Sequence, residues 1–293
     1  MRLKRKVYKF YSGNKKYRLT FYRFGGEKKP SYLFVAGIHG NESNAIYTAF
    51  LLIAKLTRID EINCTITILP RANPPAVKGR LRLSPEDGRD MARSFPGDPN
   101  GSITEKIAYM IFQEAVEHDY VIDIHNMSLP SISFCSTYFS RESIDLAIRT
   151  GLDYIVESKS IPGTLSTAVS TRGIPAIEIE VGGVGKDISE SDAEKISNSL
   201  LRMLLNKNPP ANPKFLGIRE TIRSPVTGFF YPMIRPGSNL TVASKIGIIK
   251  NVFRRKVEVL SGFSGICIAI SHTNFVTRGQ RIASISRYLK MKL

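Results

Sequence analysis

The sequence predicts an α/β fold, in which helices cover both faces of a central sheet, followed by a smaller all-β domain. From residue 31 to about residue 205, apolar runs typical of buried strands alternate with helical patterns. The alternation stops at 206–215, where three prolines and three asparagines indicate a linker. After the linker, short strand-like runs separated by glycines indicate the second domain.

The individual elements can be assigned in chain order. Residues 1–30 alternate aromatic and basic residues on both sides of "SGNKK", which predicts an N-terminal β-hairpin. Strands are predicted at "YLFVAG", "CTITILP", "YVIDIH", "LDYIVES" and "PAIEIEVGG". Helices are predicted at "ESNAIYTAFLLIAKL", at "DLAIRT" and, opened by Asp187, at "DISESDAEKISNSLLRMLLNK". The predicted domains are 1–207, which includes the hairpin, and 214–293.

The composition narrows the class of protein. A hydrophobic content of 42% is ample for a core in a chain of 293 residues. Cys64, Cys135 and Cys267 are far apart, so neither a disulfide framework nor a cysteine zinc site is expected. No apolar segment follows the basic N-terminus, and no apolar run approaches about 18 residues, which argues against a signal peptide and a transmembrane helix. The sequence therefore predicts a soluble, cytoplasmic protein with no membrane partner.

The net charge of +17 is concentrated at the two ends of the chain. Residues 1–30 hold 11 Lys and Arg against one acid, and residues 214–293 hold 14 against two. The segment 31–213 holds 17 basic against 22 acidic residues and is mildly negative. Nucleic acid or another polyanion could bind the ends. No nucleic-acid motif accompanies the charge, so a solvated basic surface with at most weak polyanion binding is the favoured interpretation.

The stretch "VAGIHGNESNA", residues 35–45, places polar residues directly after an apolar run. One interpretation is a polar loop that caps the next helix; the other is half of a metal site, because catalytic zinc takes three His, Glu or Asp ligands. His39 and Glu42 would supply two of them at a strand's carboxyl end, where open α/β sheets bind ligands. His125, which closes "YVIDIH", is the candidate third ligand. Asp123 lies on the same strand face and could orient a ligating histidine.

Each of these signals is weak by itself. An H-x-x-E spacing occurs by chance, and a histidine at a strand end is more often a hydrogen-bonded structural residue. The two remaining histidines are weaker candidates, because His118 lies in the polar stretch "EAVEHD" and His272 is expected on the surface of the β domain.

The order of several motifs resembles that of a known family. "GIHGNE", "NPPAVKGRLR", "RDMARSFPG", "DIHN" and "EIEVGG" follow one another as in the succinylglutamate desuccinylase/aspartoacylase family of carboxypeptidase A-like zinc hydrolases. The resemblance runs from about residue 31 to about residue 185. It implies a mixed, zinc carboxypeptidase-like sheet and a C-terminal domain with a barrel-sandwich fold like that of biotinyl carriers. No lysine stands between methionines as a carrier requires, so a carrier role is not expected.

The resemblance also implies a metal site and a catalytic base. It makes His39, Glu42 and His125 the ligands of one zinc per chain, the His₂Glu set of carboxypeptidase A. Glu180, directly before an aliphatic residue and a glycine, matches the catalytic glutamate. Glu178 lies on the same strand face, so the residues alone do not separate the two, and a surface or ion-paired role is the alternative for Glu178.

Further roles follow from the same resemblance. Arg82, nine residues after the asparagine of "NPPA", matches the arginine that polarises the scissile carbonyl, with Arg80 as the alternative if the loop is shifted. Asn126 is assigned to substrate binding. Asp90, together with Asp123, is assigned to the support of the metal ligands.

One motif departs from the family pattern. The family usually has Asp-aliphatic-Asn-Arg, in which the Asn and Arg hold the substrate's carboxylate, whereas this chain has Asp90, Met91, Ala92 and Arg93. Arg93 is retained as a substrate-binding residue, but the side chain of Ala92 cannot donate a hydrogen bond. Carboxylate recognition is therefore expected to be weaker or differently built.

These features predict a zinc-dependent hydrolase that removes an acyl group from a small N-acyl amino acid or N-acyl amine with an anionic group. Two alternatives remain: a carboxypeptidase that acts on peptides, and a non-catalytic protein that binds nucleic acid through its basic ends. The β domain favours the deacylase over the carboxypeptidase by family analogy. The presence of Glu180 with a full ligand set counts against a non-catalytic protein.

Overall fold

A large mixed sheet forms the centre of the molecule. The computed structural model describes residues 3–138, 140–184, 187–207, 212–251 and 255–290 of the chain. Part of the predicted linker, 208–211, lies outside these residues. The strands are β1 (Lys4–Ser12), β2 (Lys15–Phe24), β3 (Ser31–Ala36), β4 (Thr65–Leu69), β5 (Tyr120–Asn126), β6 (Pro130–Ser131), β7 (Phe134–Thr137), β8 (Tyr154–Glu157), β9 (Ala176–Val181), β10 (Gly183–Val184), β11 (Lys214–Leu216), β12 (Glu220–Arg223), β13 (Gly228–Pro232), β14 (Asn239–Leu240), β15 (Lys245–Lys250), β16 (Lys256–Leu260), β17 (Gly265–Ile270), β18 (Asn274–Val276) and β19 (Arg281–Ser286).

The strands of the main sheet run in the order β1-β2-β4-β3-β5-β9-β7-β8-β11. Strands β4, β3, β5 and β9 are parallel neighbours, whereas β1 and β2 form the predicted antiparallel hairpin at one edge. Strand β7 runs antiparallel to β9. The carboxyl ends of β3, β5 and β9 therefore lie side by side along one edge of the sheet, the edge formed by strand ends. Ligands bind there in open α/β sheets.

Six α-helices and one short 3-10 helix accompany the strands in the described residues. They are α1 (Ser43–Leu56), α2 (Pro74–Gly79), α3 (Ile103–Ala115), α4 (Arg141–Arg149), α5 (Leu165–Ser170), α6 (Glu190–Leu204) and the 3-10 helix Met91–Arg93. The predicted helices correspond to α1, α4 and α6. Helix α6 begins after Ser189 rather than at Asp187. Helices α2, α3 and α5 have no counterpart among the predicted helices. Helices α2 and α5 have only six residues each, whereas α3 has 13 and begins with a capping box at Ser102, a signal that the sequence carries.

Apolar residues of the central strands alternate between two cores, because successive strand side chains point to opposite faces. Phe34 belongs to the core that the sheet forms with α1, α4 and α6. Leu33 and Val35 belong to the core formed with α3 and α5. Helices thus cover both faces, as predicted, and each fully buried Leu, Ile or Phe contributes about 1.5–3 kcal/mol.

The C-terminal part of the chain forms two antiparallel sheets. One contains β10, β6, β17, β19 and β12, with β14 paired to β17; the other contains β16, β15, β13 and β18. The predicted combination of a large mixed sheet with additional antiparallel sheets is confirmed. The barrel-sandwich shape, the carboxypeptidase likeness and the domain limits 1–207 and 214–293 stay predictions.

Strands of the first part of the chain pair with strands of the C-terminal part. Strand β6, which follows β5, pairs with β17, and β10, which follows β9, pairs with β6. Strand β11 extends the main sheet by pairing in parallel with β8. The sheet that contains β17 and β19 is therefore attached directly beyond the ends of β5 and β9.

Two of the four histidines lie away from this edge. His118 is buried, with Nδ1 2.8 Å from Glu114 O and Nε2 2.9 Å from Thr67 Oγ1. A carbonyl oxygen only accepts, so Nδ1 carries the proton and Nε2 accepts from the threonine hydroxyl. His118 is thus a hydrogen-bonded structural residue, and His272 is exposed, as expected.

The cysteines and the helices bear on two further features of the chain. The three cysteines are free and buried. No helix in the described part of the chain is long and apolar enough to cross a membrane.

The turn between β3 and α1 packs closely against α2. A Cβ atom added to Gly40 would lie 2.0 Å from the carbonyl carbon and oxygen of Ala76. The N–H of Gly40 donates to Leu81 O at 2.8 Å. Only a glycine lets the two backbones approach this closely, so α2 and the segment that follows it fix the position of the turn.

We expect Gly40→Ala to lower the free energy of unfolding by about 2 kcal/mol or more, because the turn and α2 must separate to admit a methyl group. Gly262→Ala is the matched control, since Gly262 is exposed and an added Cβ meets no atom within 4 Å. Its effect should stay within about 0.5 kcal/mol. Urea unfolding of both variants measures the difference, and equal stabilities would contradict the close packing.

Candidate active site

The predicted site residues lie together where β3, β5 and β9 end. His39 and Glu42 lie in the turn after β3, His125 lies near the end of β5, and Glu180 near the end of β9. In the sheet register, His125 is directly opposite Glu180, and Asp123 is opposite Glu178. The strand pairing thus places the candidate base beside a candidate ligand.

Glu42 occupies the N-cap position of α1 but does not cap it. Its side chain makes no capping hydrogen bond. The N–H of Ala45 in the first turn donates instead to Asn126 Oδ1, from the end of β5, at 3.1 Å. Because a residue of another strand takes the capping role, the carboxylate of Glu42 is left to face the histidines. The interpretation of this turn as a simple helix cap is therefore excluded.

Both oxygens of Glu42 contact an imidazole. Oε1 lies 2.7 Å from His39 Nδ1, and Oε2 lies 2.8 Å from His125 Nδ1. The far nitrogens face other carboxylates: His39 Nε2 is 3.0 Å from Asp90 Oδ1, and His125 Nε2 is 3.0 Å from Asp123 Oδ2. Each ring thus turns one nitrogen toward a common centre and the other toward an aspartate, the pairing seen for metal-ligating histidines.

The donor set fits a divalent cation of the zinc type. His39, Glu42 and His125 each offer one ligand atom, and these atoms lie within 4.8 Å of one another. Two imidazole nitrogens and a carboxylate oxygen are a common catalytic zinc set.

The pKa shifts of the candidate ligands also favour a bound cation. Burial alone would raise the pKa of Glu42, but the charges and hydrogen bonds of His125 and His39 lower it to about 2. Burial alone would lower the pKa of His125, but Asp123 and Glu42 raise it well above its usual value. Carboxylates surround both rings, so the cluster favours positive charge at its centre, which is what a cation supplies.

The two glutamates of β9 differ in their contacts. Glu178 Oε1 accepts a hydrogen bond from Ser166 Oγ at 2.6 Å. Glu180 Oε1 lies 3.6 Å from Arg219 Nη1, whereas the buried Oε2 has no hydrogen-bond partner among the described residues. Burial raises the pKa of Glu180, and the charge of Arg219 opposes this. Glu180 therefore has an oxygen available to accept a proton, and Glu178 is already engaged.

Arg82 rather than Arg80 reaches the site. Arg82 Nη2 donates to Asp90 Oδ2 at 3.0 Å, and Nη1 lies 4.0 Å from Glu42 Oε1. Arg80 is exposed, follows α2 in a left-handed conformation with φ of 52°, and does not line the cavity. The side chain of Arg82 is about half exposed and thus open to a ligand.

Arg93 and Asn126 also line the cavity. Arg93 Nη1 donates to the carbonyl oxygen of Ala92 at 2.6 Å. Gly163 packs against the backbone of Arg93, since an added Cβ would come within 2.5 Å of it. The amide oxygen of Asn126 contacts α1, so the structure shows a positioning contact for this residue, and its substrate-binding role stays a prediction.

The site opens into a cavity of about 500 Å³, the size of a small-molecule site. Its lining includes two residues of the C-terminal part, Arg219 and Arg281, that the sequence analysis did not assign to the site. The only sequence signal for them was the basic excess of 214–293, which was interpreted as solvated surface or a polyanion site. No spacing in the sequence indicates which of those arginines turn inward.

Comparison with known proteins gives the family. Residues 28–206 match the model of the succinylglutamate desuccinylase/aspartoacylase catalytic domain. The chain is 28% identical over 285 residues to N-alpha-acetyl-L-2,4-diaminobutyric acid deacetylase from Halomonas elongata, covering 89% of this chain and 83% of the relative.

Solved structures share the fold over nearly the whole chain. A succinylglutamate desuccinylase/aspartoacylase from Rhodobacter sphaeroides matches with a TM-score of 0.86 at 23% identity, covering 99% of this chain and 96% of the other. The product-bound ectoine utilization protein EutE (DoeB) from Ruegeria pomeroyi also gives 0.86, at 21% identity, covering 97% and 95%. With the family match extending over more than half of the chain, this protein belongs to the succinylglutamate desuccinylase/aspartoacylase family.

Proposed function

We propose that this chain is a metal-dependent deacylase that hydrolyses the amide bond of a small N-acyl amino acid or N-acyl amine bearing an anionic group. The observation that carries the proposal is the buried Glu180 Oε2, which lacks a hydrogen-bond partner in the described residues, on the residue directly opposite the candidate ligand His125. The deacetylase relative and the desuccinylase and aspartoacylase names within the family support amide hydrolysis.

The proposed metal ligands are His39, Glu42 and His125, with Asp90 and Asp123 holding the imidazoles in orientation. Zinc at such a site supplies Lewis acidity and lowers the pKa of a bound water to about 7. We propose that the bound metal is zinc and that each chain binds one zinc ion.

The chain's own residues account for proton transfer and positioning. Glu180 takes a proton from the attacking water and later gives it to the leaving amine, as a general base and acid do. Arg82 stabilises the negative charge that develops on the carbonyl oxygen. Arg93 anchors the substrate's anionic group, which fixes the carbonyl beside the water and removes the entropic cost of finding that position.

The cavity favours a small substrate over a polypeptide. Arg219 and Arg281 of the C-terminal part line the same space of about 500 Å³ as the candidate ligands. A carboxypeptidase must accept a chain that extends out of its site, and these side chains occupy one wall of the cavity. Nucleic-acid binding through the basic ends remains an alternative, and no nucleic-acid motif in the sequence accompanies the charge.

A substrate panel tests the reaction class directly. We expect hydrolysis of one or more N-acetyl or N-succinyl amino acids, and a kcat/KM for short peptides with free carboxyl ends at least about 100-fold lower, because the cavity has room for a small acyl group and one amino acid. Release of the free amine is measured for both classes. Peptides hydrolysed as fast as N-acyl amino acids would reverse the ranking.

The metal proposal predicts about one zinc per purified chain and its loss in His125→Ala. His272→Ala is the matched control, because His272 is an exposed histidine far along the chain. Elemental analysis after purification without chelator measures both variants. If the wild-type protein carries no transition metal and takes up none when zinc is added, the metal proposal fails.

The two glutamates should respond differently to the same substitution. Glu180→Gln keeps the shape but removes the base, so turnover should fall by about 10²–10⁴ while the metal content is unchanged. Glu178→Gln keeps an oxygen that accepts from Ser166, so turnover should change by less than about tenfold. Turnover on the best substrate of the panel decides between them. Full activity of Glu180→Gln would require another group to activate the water.

A further inference from the structure

The N-terminal hairpin carries a concentration of positive charge that the active site does not use. Strands β1 and β2 together contain eight Lys and Arg and no acidic residue. Because successive residues of a strand point to opposite faces, these cations divide between two faces of the hairpin. The two faces differ in what surrounds their charges.

The inner face of the hairpin packs on the protein, and cations there have carboxylate partners. Leu19 on this face is fully buried in the core formed with α3 and α5. Lys6 Nζ lies 2.8 Å from Glu114 Oε2, and Lys15 Nζ lies 2.9 Å from Glu86 Oε1. Both carboxylates belong to segments outside the hairpin, so these ion pairs attach it to the rest of the molecule.

The outer face is open to solvent, and its cations form no ion pair among the described residues. The register places its residues in four cross-strand rows, which follow one another about 7 Å apart along the ribbon. In order, the rows are Arg5 with Tyr22, Val7 with Thr20, Lys9 with Arg18, and Tyr11 with Lys16.

One row places two like charges directly opposite each other. Lys9 and Arg18 are partners in the register, and both are exposed. Like charges at directly opposite positions destabilise an antiparallel strand pair. A bound phosphate relieves this repulsion, because it places a negative charge beside both side chains.

A tyrosine ring accompanies the cations at each end of the outer face. The guanidinium of Arg5 lies 5.5 Å from the ring centroid of Tyr22, and Lys16 Nζ lies 5.8 Å from that of Tyr11. Tyr11 is 62% exposed. Basic side chains that follow a sugar–phosphate chain, with exposed aromatic rings on which bases stack, are the means by which proteins bind single strands without sequence preference.

We propose that the outer face of the hairpin binds single-stranded nucleic acid, with Arg5, Lys9, Lys16 and Arg18 contacting phosphates and Tyr11 stacking on a base. A duplex fits less well, because its bases are already stacked on one another and offer the ring no face. This binding is an activity beyond the proposed deacylation, and none of these residues lines the active-site cavity.

Other occupants match the outer face less well. A second copy of the chain would bring its own unpaired cations against these, and lysines along an edge strand such as β1 discourage pairing with another strand. A membrane-binding surface needs large apolar side chains that enter the lipid, and the aliphatic side chain on this face is Val7.

The salt dependence of binding measures how many phosphates are contacted. The probe is a fluorescein-labelled oligothymidine of about 20 nucleotides, followed by fluorescence anisotropy with the full chain. Four contacts predict a slope of about −2.8 for log K against log salt, which is about a 50-fold loss of affinity between about 50 and 200 mM salt. In Lys9→Gln/Arg18→Gln the slope should be about −1.4 and the loss about sevenfold.

Tyr11→Leu separates stacking from charge. This variant removes an aromatic ring but no cation, so affinity should fall by about fivefold or more while the slope stays unchanged. An unchanged affinity would mean that the face binds phosphates without stacking, which overturns the assignment to single strands.

Lys6→Gln/Lys15→Gln is the matched control for the charge. It removes the same two charges from the same two strands, but on the inner face. Its slope should stay within about 0.7 of the wild-type value, which is less than one phosphate contact. Lys9→Gln/Arg18→Gln should melt at or above the wild-type temperature, because the repulsion between opposite like charges is gone. Lost binding in that variant then does not arise from an unfolded hairpin.

Three results would overturn the proposal. The first is no binding of the oligothymidine at about 50 mM salt, or an equal loss of slope in the inner-face variant. The second is tighter binding of a duplex of the same length. The third is co-sedimentation with phosphatidylserine vesicles in place of oligonucleotide binding, which would identify the face as a membrane-binding surface. The substrate panel tests the deacylase independently of all three.

Discussion

The carboxylate of Glu42 is the interaction on which the rest of the site depends. Its two oxygens contact His39 Nδ1 at 2.7 Å and His125 Nδ1 at 2.8 Å, so one side chain joins the turn after β3 to the end of β5. This is possible because β3 and β5 are parallel neighbours with a common carboxyl edge. It also requires another residue to cap α1, and Asn126 does so through the N–H of Ala45.

Charge balance is the second organising constraint. The cluster brings several carboxylates into a buried space, which is unfavourable unless positive charge compensates them. Imidazoles, arginines and the proposed metal ion provide that compensation. The arginines come from different parts of the chain: Arg82 from the segment after α2, Arg93 from the end of the 3-10 helix, and Arg219 and Arg281 from the C-terminal part. The cavity is therefore a property of the whole molecule rather than of one domain.

The attachment of the C-terminal sheets explains how their side chains reach the site. Strand β6 continues the chain beyond β5 and pairs with β17, which in turn pairs with β19. This brings the start of β19 to the loop that carries Ser128, where Arg281 is bonded. The strand pairing that holds the two parts together thus also sets the shape and charge of the cavity.

The sequence by itself determined the alternation of strands and helices and the ligand candidates His39, Glu42 and His125, because these depend on local patterns and on strand ends. Motif resemblance added Arg82, Arg93 and Asp90, and it indicated Glu180 as the base without a local pattern that separates it from Glu178. Only the tertiary structure decided that Glu178 bonds to Ser166 while Glu180 Oε2 has no partner in the described residues, since both point the same way from β9. The pairing of β6, β17 and β19 brings Arg281 into the cavity, and the pairing of β6 with β17 joins segments more than 100 residues apart, which leaves no local signal in the sequence.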